Sequence, residues 1–216
     1  MSEQVQVSIR RAREADAALM AAWRNLPEVR RYQPLWPVPA AQLRRNIRRQ
    51  SGFSLEGQRG RGVTWIIEAD GIPAGWVSLR NVDWFAKSAS IGFSIATWAQ
   101  GRGIARRGVG MVLDLAFLPG RMQRVEADCD VDNERSRHLM ESLGFQREGT
   151  MRAFARMPEG RRDFYLYSLL RDEWRGAGAR PPGAGGGGGE RKGGRGGRRA
   201  RPPPGAPAGG GGGGGR

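Results

Sequence analysis

The segment Trp98-Ala-Gln-Gly-Arg-Gly-Ile-Ala105 does most to limit what this chain can fold into, because it joins a strand-period run to a helix-period run. Before it, Ser88–Ile95 sets Ala89, Ile91, Phe93 and Ile95 on one face at period two. After it, Ala105, Val109, Val112 and Ala116 recur at helical spacing until Pro119-Gly120 stops the pattern. A strand that turns sharply into a helix belongs to a layered α/β architecture. Glycine at 101 and 103 lets the main chain come close to a ligand, and the first N–H groups of the helix have no internal acceptor. Such a helix end attracts phosphate. Two familiar phosphate loops are excluded. Arg106 stands where a dinucleotide fingerprint needs its third glycine, and no Gly-Lys-Ser/Thr follows for a P-loop.

The rest of the chain fits the same layering. Val5–Arg10 alternates as a first strand, and Ala15, Leu19, Ala22, Trp23 and Leu26 form a helical stripe with Asp16 in the favourable first turn. Prolines 34, 37 and 39 keep Tyr32–Ala40 out of a helix, and a basic helix follows over Ala41–Arg49. Val63–Ala69 and Ala74–Val82 read as strands joined by the turn Asp70-Gly71-Ile72-Pro73. Arg124–Val131 alternates again. Asn133–Leu143 is a short helix closed by Gly144, and Phe154 and Phe164–Leu170 mark two final strands. The expectation is a central mixed, mostly antiparallel, twisted sheet of about seven strands flanked by about four helices. Gly108 and Gly110 each cost the long helix about 1 kcal/mol relative to alanine; close approach of helix to sheet would explain them.

Composition divides the chain. Residues 1–174 carry 27 basic and 20 acidic side chains, a charge of +7, whereas 175–216 carry 9 and 1, a charge of +8. The last 42 residues hold 20 of the 35 glycines and no aromatic, too little apolar surface to offset ordering entropy. They read as a disordered Gly/Arg/Pro-rich basic tail behind a folded domain of residues 1–174. Cys129 is the only cysteine and His138 the only histidine, so an intrachain disulfide is impossible and a Cys- or His-rich metal site is not expected. No secretory pattern opens the sequence and no run approaches about 18 apolar residues, which points to a cytoplasmic protein without a membrane span.

Several motifs in order then narrow the ligand. Gln100-x-x-Gly103-x-Ala105 resembles the Gln/Arg-x-x-Gly-x-Gly/Ala motif of the GNAT superfamily of acyl-CoA N-acyltransferases. Asn133-x-x-Ser136-x-x-Leu139, followed by Leu143-Gly144-Phe145, resembles that superfamily's second cofactor element. Ile91-Gly92-Phe93 and Gly144-Phe145-Gln-Arg-Glu148-Gly149 look most like the Rim-type branch, the ribosomal-protein N-terminal acetyltransferases and their relatives. The resemblance covers roughly residues 6–174 and implies the GNAT fold. It also implies acyl-CoA, most commonly acetyl-CoA, as co-substrate, with no metal. Main chain at Gln100, Gly101, Arg102, Gly103, Ile104 and Ala105 would hold the CoA pyrophosphate. Phe93, Ser94 and Ile95 would pair with the pantetheine arm as an added strand, a mode that suits its amides. Asn133 and Ser136 would lie beside the arm and the thioester sulfur, with Ser136 the catalytic proton donor to the leaving thiolate.

The implied reaction is direct attack by a primary amine on the thioester in a ternary complex. The amine would be a protein N-terminal α-amine or a small-molecule amine. The family's carboxylate before the Ile-Gly-aromatic element is replaced by Ser90, so Glu126, Asp128 or Asp130 would have to act as base through water. Cys129 reads as core and His138 as an exposed helix residue. Tyr32–Trp36, Trp84–Phe85 and Arg152–Arg156 are the stretches expected to meet the acceptor, and their basic and aromatic character suits an acidic peptide or a flat ring. The competing class is a catalytically weak, ribosome- or RNA-associated binder whose tail, through Arg195-Gly-Gly197 and its arginines, holds RNA loosely. These residues leave open the acceptor, acetyl against succinyl transfer, and a monomer against a dimer.

Overall fold

The computed structural model describes residues 5–33 and 37–178. Their element order is β1 (Val7–Arg11), α1 (Ala17–Asn25), α2 (Pro27–Arg30), α3 (Ala40–Arg49), β2 (Val63–Ala69), β3 (Ile72–Asp83), β4 (Ser88–Ile95), α4 (Ile104–Phe117), β5 (Arg124–Asp130), α5 (Glu134–Ser142), β6 (Gln146–Met157) and β7 (Gly160–Leu170). The seven strands form one open sheet in the order β1-β2-β3-β4-β5-β7-β6. Every neighbouring pair is antiparallel except β4 with β5. The expected mixed sheet is therefore present. The helix number differs by one: α2, a single turn begun by Pro27, lacks the length for a visible apolar period.

Each sheet face carries its own core. Trp65, Ile67, Val77, Leu79, Ile91, Val125 and Ala127 pack with Val109, Val112, Leu113 and Ala116 of α4. On the opposite face Ile66 and Trp76 meet Ala17, Met20 and Ala21 of α1 and Leu43 and Ile47 of α3. The arginines of α3 lie outside this contact, as expected of an amphipathic helix. In α4 the innermost first-turn residue is Ile104, fully buried, while Ala105 is half-buried, one position away from the expected stripe. Gly108 has the close approach its helix cost suggested: a Cβ there would lie 2.7 Å from Ile67 Cδ1. Gly110 is pressed by Ala177 at 3.1 Å, and the Ala177 N–H points to Asp114, so the chain still packs on α4 just after Trp174.

Local chemistry fixes the ends of α5. The Asn133 side chain accepts from the Ser136 N–H at 3.2 Å, and Gly144 takes φ +92°. Phe145 N–H then reaches Met140 O and Gly144 N–H reaches Glu141 O, each at 3.0 Å, which is the Schellman pattern. The turn between β2 and β3 is tighter than expected, with Ile72 and Pro73 already in the strand. Among the described residues no helix is long and apolar enough to cross a membrane and no cluster of metal-ligating side chains occurs. The predicted tail beyond Gly178 lies outside the described residues.

Candidate active site

The strand-to-helix turn is built on two residues that only glycine suits. Gly101 and Gly103 take φ +74° and +70°, and a Cβ at either would meet open space, so left-handed backbone rather than crowding explains both. Gly103 caps α4 without any side-chain acceptor. The first internal bond runs from Arg107 N–H to Gly103 O at 3.2 Å, which leaves the N–H groups of Ile104 and Ala105 without intrahelical acceptors. Arg102 projects, exposed, from the same turn. Gln100 ties this turn to its surroundings. Its Nε2 donates to Ile95 O at 3.3 Å, and its Oε1 accepts from Arg135 of α5 at 2.6 Å.

Beside the turn the sheet opens. β4 and β5 pair only at Ser88–Ser90 with Arg124–Glu126, and beyond Ser90 the two strands continue without pairing. Ala96 N–H bonds Ala74 O at 2.8 Å, so the antiparallel alternation directs Gly92 and Ser94 main chain toward β3. Phe93 and Ile95 then direct their N–H and C=O groups into the notch. Of the three strand residues expected to pair with an extended ligand, two turn main chain toward the notch. Ser94 does not: its backbone serves the β3 ladder and its side chain is buried beside Trp76.

α5 begins across the notch. Asn133 is occupied in capping it, while Ser136 is half-buried and lies near enough to the Cys129 thiol to oppose the rise in its pKa. Burial, and then the Asp128 carboxylate, push that thiol up to about 12, so it is neutral at physiological pH and a poor nucleophile. Cys129 is core and His138 is exposed, as their positions in the sequence suggested. The three alternating acids of β5 part company. Glu126 is held by Arg124 at 2.9 Å, and fully buried Asp130 by Arg162 at 2.9 Å and the Asp132 N–H. Asp128 has no ion pair within 4.0 Å among the described residues. Asp128 is exposed at the notch, but neighbouring chain partly withdraws its carboxyl from water and raises it above the ordinary value, opposed by Arg80 and reinforced by Glu126.

A turn with an open helix end, set against a sheet that splits beside it, is the arrangement expected of a CoA-dependent transferase. Residues 6–146 match the family described as an acetyltransferase (GNAT) domain. The chain belongs to the GNAT acetyltransferase family. An uncharacterized N-acetyltransferase p20 of Bacillus licheniformis is 29% identical over 171 residues, 79% of this chain and 96% of that one. The putative ribosomal N-acetyltransferase YdaF of Bacillus subtilis is 36% identical over 107 residues, 50% of this chain and 58% of its own length. Among solved structures, spermidine N-acetyltransferase from Vibrio cholerae in complex with CoA and spermine shares the fold with a TM-score of 0.70 at 20% identity, covering 78% of this chain and 97% of that one.

This GNAT domain arranges the expected acceptor stretches unequally. Trp84 and Phe85 lie at the β3–β4 hairpin, where Trp84 stacks on Phe53 at 5.9 Å and donates to Gly60 O. Five residues of β4 separate Ser88 from Phe93, about 17 Å of strand, so that hairpin is at the wrong end of the sheet for the notch. Arg152–Arg156 comes closer: Phe154 stacks on Phe164, whose β7 position pairs with Asp130. Tyr32 lies under Arg31, and residues 34–36 of that stretch fall outside the described residues. Sequence reasoning missed two arginines on the α1 side of the sheet. Arg24 of α1 lies over the Trp76 ring at 5.9 Å, and Arg80 of β3 lies against Gly92, where a Cβ would meet its Nη2 at 2.9 Å. Gly92 was a visible signal. Its reason, a guanidinium laid on the strand, needed the register that sets Arg80 beside Ser90.

Proposed function

We propose that this chain transfers an acetyl group from acetyl-CoA to a primary amine, either a protein N-terminal α-amine or a small-molecule amine, by direct attack in a ternary complex. One observation carries the reading: the outward main chain of Phe93 and Ile95 leads directly to the open N-terminus of α4. An extended amide-bearing arm ending in a pyrophosphate needs those two surfaces in that order. The spermidine enzyme with this fold binds CoA, and the family match extends over both surfaces.

In this reading Gln100, Gly101, Arg102, Gly103, Ile104 and Ala105 hold the pyrophosphate, Phe93 and Ile95 align the arm, and the thioester lies near Gly92 and Ser136. The amine nitrogen attacks the thioester carbonyl, the C–N bond forms, and the oxyanion collapses to break the C–S bond. An N–H at the notch stabilises the oxyanion, and Ser136 gives the thiolate a proton that it regains from solvent. Asp128 takes the amine proton through water, since it is the β5 carboxylate without an ion pair and its affinity for a proton is raised. An α-amine, with a pKa near 7.7–8.0, needs less help from such a base than lysine near 10.4. The test is thermal protection by acetyl-CoA and succinyl-CoA, followed by CoA release with N-terminal peptides and free amines. Acetyl-CoA protection with amine-dependent CoA release is expected; no protection by any acyl-CoA overturns the reading. Binding by the tail alone, the competing class, would leave the folded domain without CoA release.

A further inference from the structure

We infer that the acceptor of this enzyme carries a carboxylate close to its reactive amine, and that Arg24 and Arg80 select it. The inference rests on the acetyl-transfer reading above and concerns the acceptor side of the same site.

Four observations meet on the sheet face beneath α1. Trp76, Arg80, Gly92 and Asp128 occupy this one face: Trp76 and Arg80 are four residues apart on β3, Gly92 pairs with Ser78 between them, and Asp128 lies two beyond Glu126, the partner of Ser90. Arg80 rests on Gly92 at the point where β4 and β5 part, so a guanidinium stands at the mouth of the notch. Arg24 approaches from α1 and is held below its ordinary basicity, first by burial and then by the cation of Arg80. Two cations have thus been brought close enough to oppose each other. Neither forms an ion pair within 4.0 Å among the described residues. Glu28, the acid nearest Arg24 in sequence, instead accepts from Thr97 at 3.0 Å.

The donors on this face are also left without acceptors. Arg24 Nε and Trp76 Nε1 are both shut off from solvent with no hydrogen-bond partner, and the Arg24 guanidinium lies 5.9 Å from the Trp76 ring centroid. A buried N–H without an acceptor is costly, and two close together beside guanidiniums that lack an ion pair call for an anion with several acceptor oxygens. A carboxylate supplies them. Asp128 stands on the other side of the notch, where the amine must lose its proton, so the face is polarised: cations for the acceptor's carboxylate, an anion for its amine. A polyamine, cationic along its length, meets the wrong sign at Arg24 and Arg80.

The experiment uses the full chain with acetyl-CoA and matched acceptors. A peptide with glutamate as its N-terminal residue is compared with the same peptide bearing glutamine, and free glutamate with its diamide. Spermidine serves as the cationic control. In the wild type each carboxylate acceptor should exceed its amide by at least about tenfold in kcat/KM, and spermidine should rank last. Arg24→Met, which keeps an aliphatic stem on Trp76, and Arg80→Gln should each shrink the carboxylate-to-amide ratio severalfold, with acetyl-CoA thermal protection showing that the variant is folded. The peptide and free-amino-acid arms reveal which source supplies the carboxylate. A ratio near one in both arms, a preference for spermidine, or no turnover of any carboxylate acceptor while acetyl-CoA still protects overturns this inference and leaves the acetyl-CoA reading standing. Loss of acetyl-CoA protection in the wild type overturns both.

Discussion

Gly103 and Asp128 bear the most direct tests because each has one dominant physical reason for its environment. Gly103 sits at φ +70° with open space around it, at the N-terminus of α4. Gly103→Glu adds both backbone strain and a negative charge there. Acetyl-CoA affinity should fall by more than about a hundredfold, read as lost thermal protection or by calorimetry; retained affinity would move the phosphate seat elsewhere. Asp128→Asn removes the unpaired carboxylate of β5 while keeping its shape. The expected loss in kcat is about 10²-fold, within the usual range for a general base. The sign of the pH effect follows from its raised proton affinity. In the wild type, kcat/KM should fall as pH drops through the elevated carboxyl pKa, and Asp128→Asn should remove that acid limb. An unchanged profile would assign it to another group.

At the level of elements, two junctions hold the site in shape. α4 lies so close to β2 that a methyl at Gly108 would stand within 2.7–2.8 Å of three Ile67 carbons, and fully buried Ile67 is β-branched and stiff. Gly108→Ala gains about 1 kcal/mol of helix propensity but incurs overpacking of about 1–3 kcal/mol. Net destabilisation, seen as a lower melting temperature, is expected despite the better helix former. The second junction joins β5, β6 and β7 through Glu148, which accepts from Arg124 at 2.5 and 2.7 Å and from Ser168 at 2.7 Å. Those partners, Arg124 first, hold the Glu148 carboxyl down to about 2. A depressed folded-state value means stability that is present above the ordinary glutamate value near 4.3 and lost as pH falls toward 2. Wild-type melting temperature should therefore fall more steeply than that of Glu148→Gln between about pH 4.3 and 2. Parallel curves would mean that the contact is not maintained in solution.

For the whole molecule, the described fold is complete in its sheet and in both cores before residue 179, with Trp174 bonded to Asp114 and Ala177 lying on α4. Truncation after Gly178 should leave both the melting temperature and acetyl-CoA-dependent CoA release intact, while any salt-sensitive RNA affinity disappears. Loss of CoA release on truncation would give the last 38 residues a part in catalysis that the folded domain does not reveal.

What the sequence determined by itself was local. Period-two and period-3.6 patterns located the seven strands and the longer helices, but α1 buries Ala17, Met20 and Ala21 rather than the stripe Ala15, Leu19, Ala22, Trp23 and Leu26 read from its sequence, because packing on the sheet chose the neighbouring face. The turn at Gln100–Ala105 was legible because left-handed glycines and an uncapped helix start are properties of consecutive residues. The tertiary structure alone decided what depends on register and on partners distant in the chain. It separated Phe93 and Ile95, which face the notch, from Ser94, which serves β3, because an antiparallel ladder alternates its hydrogen-bond direction. It distinguished Asp128 from Glu126 and Asp130, three similar acids on one face, since only Arg124 and Arg162 show which of them are already paired. It also brought Arg24 to Trp76, 52 positions away, and laid Arg80 on Gly92. An arginine's partners are fixed by packing, and its long side chain leaves no periodic trace in the sequence.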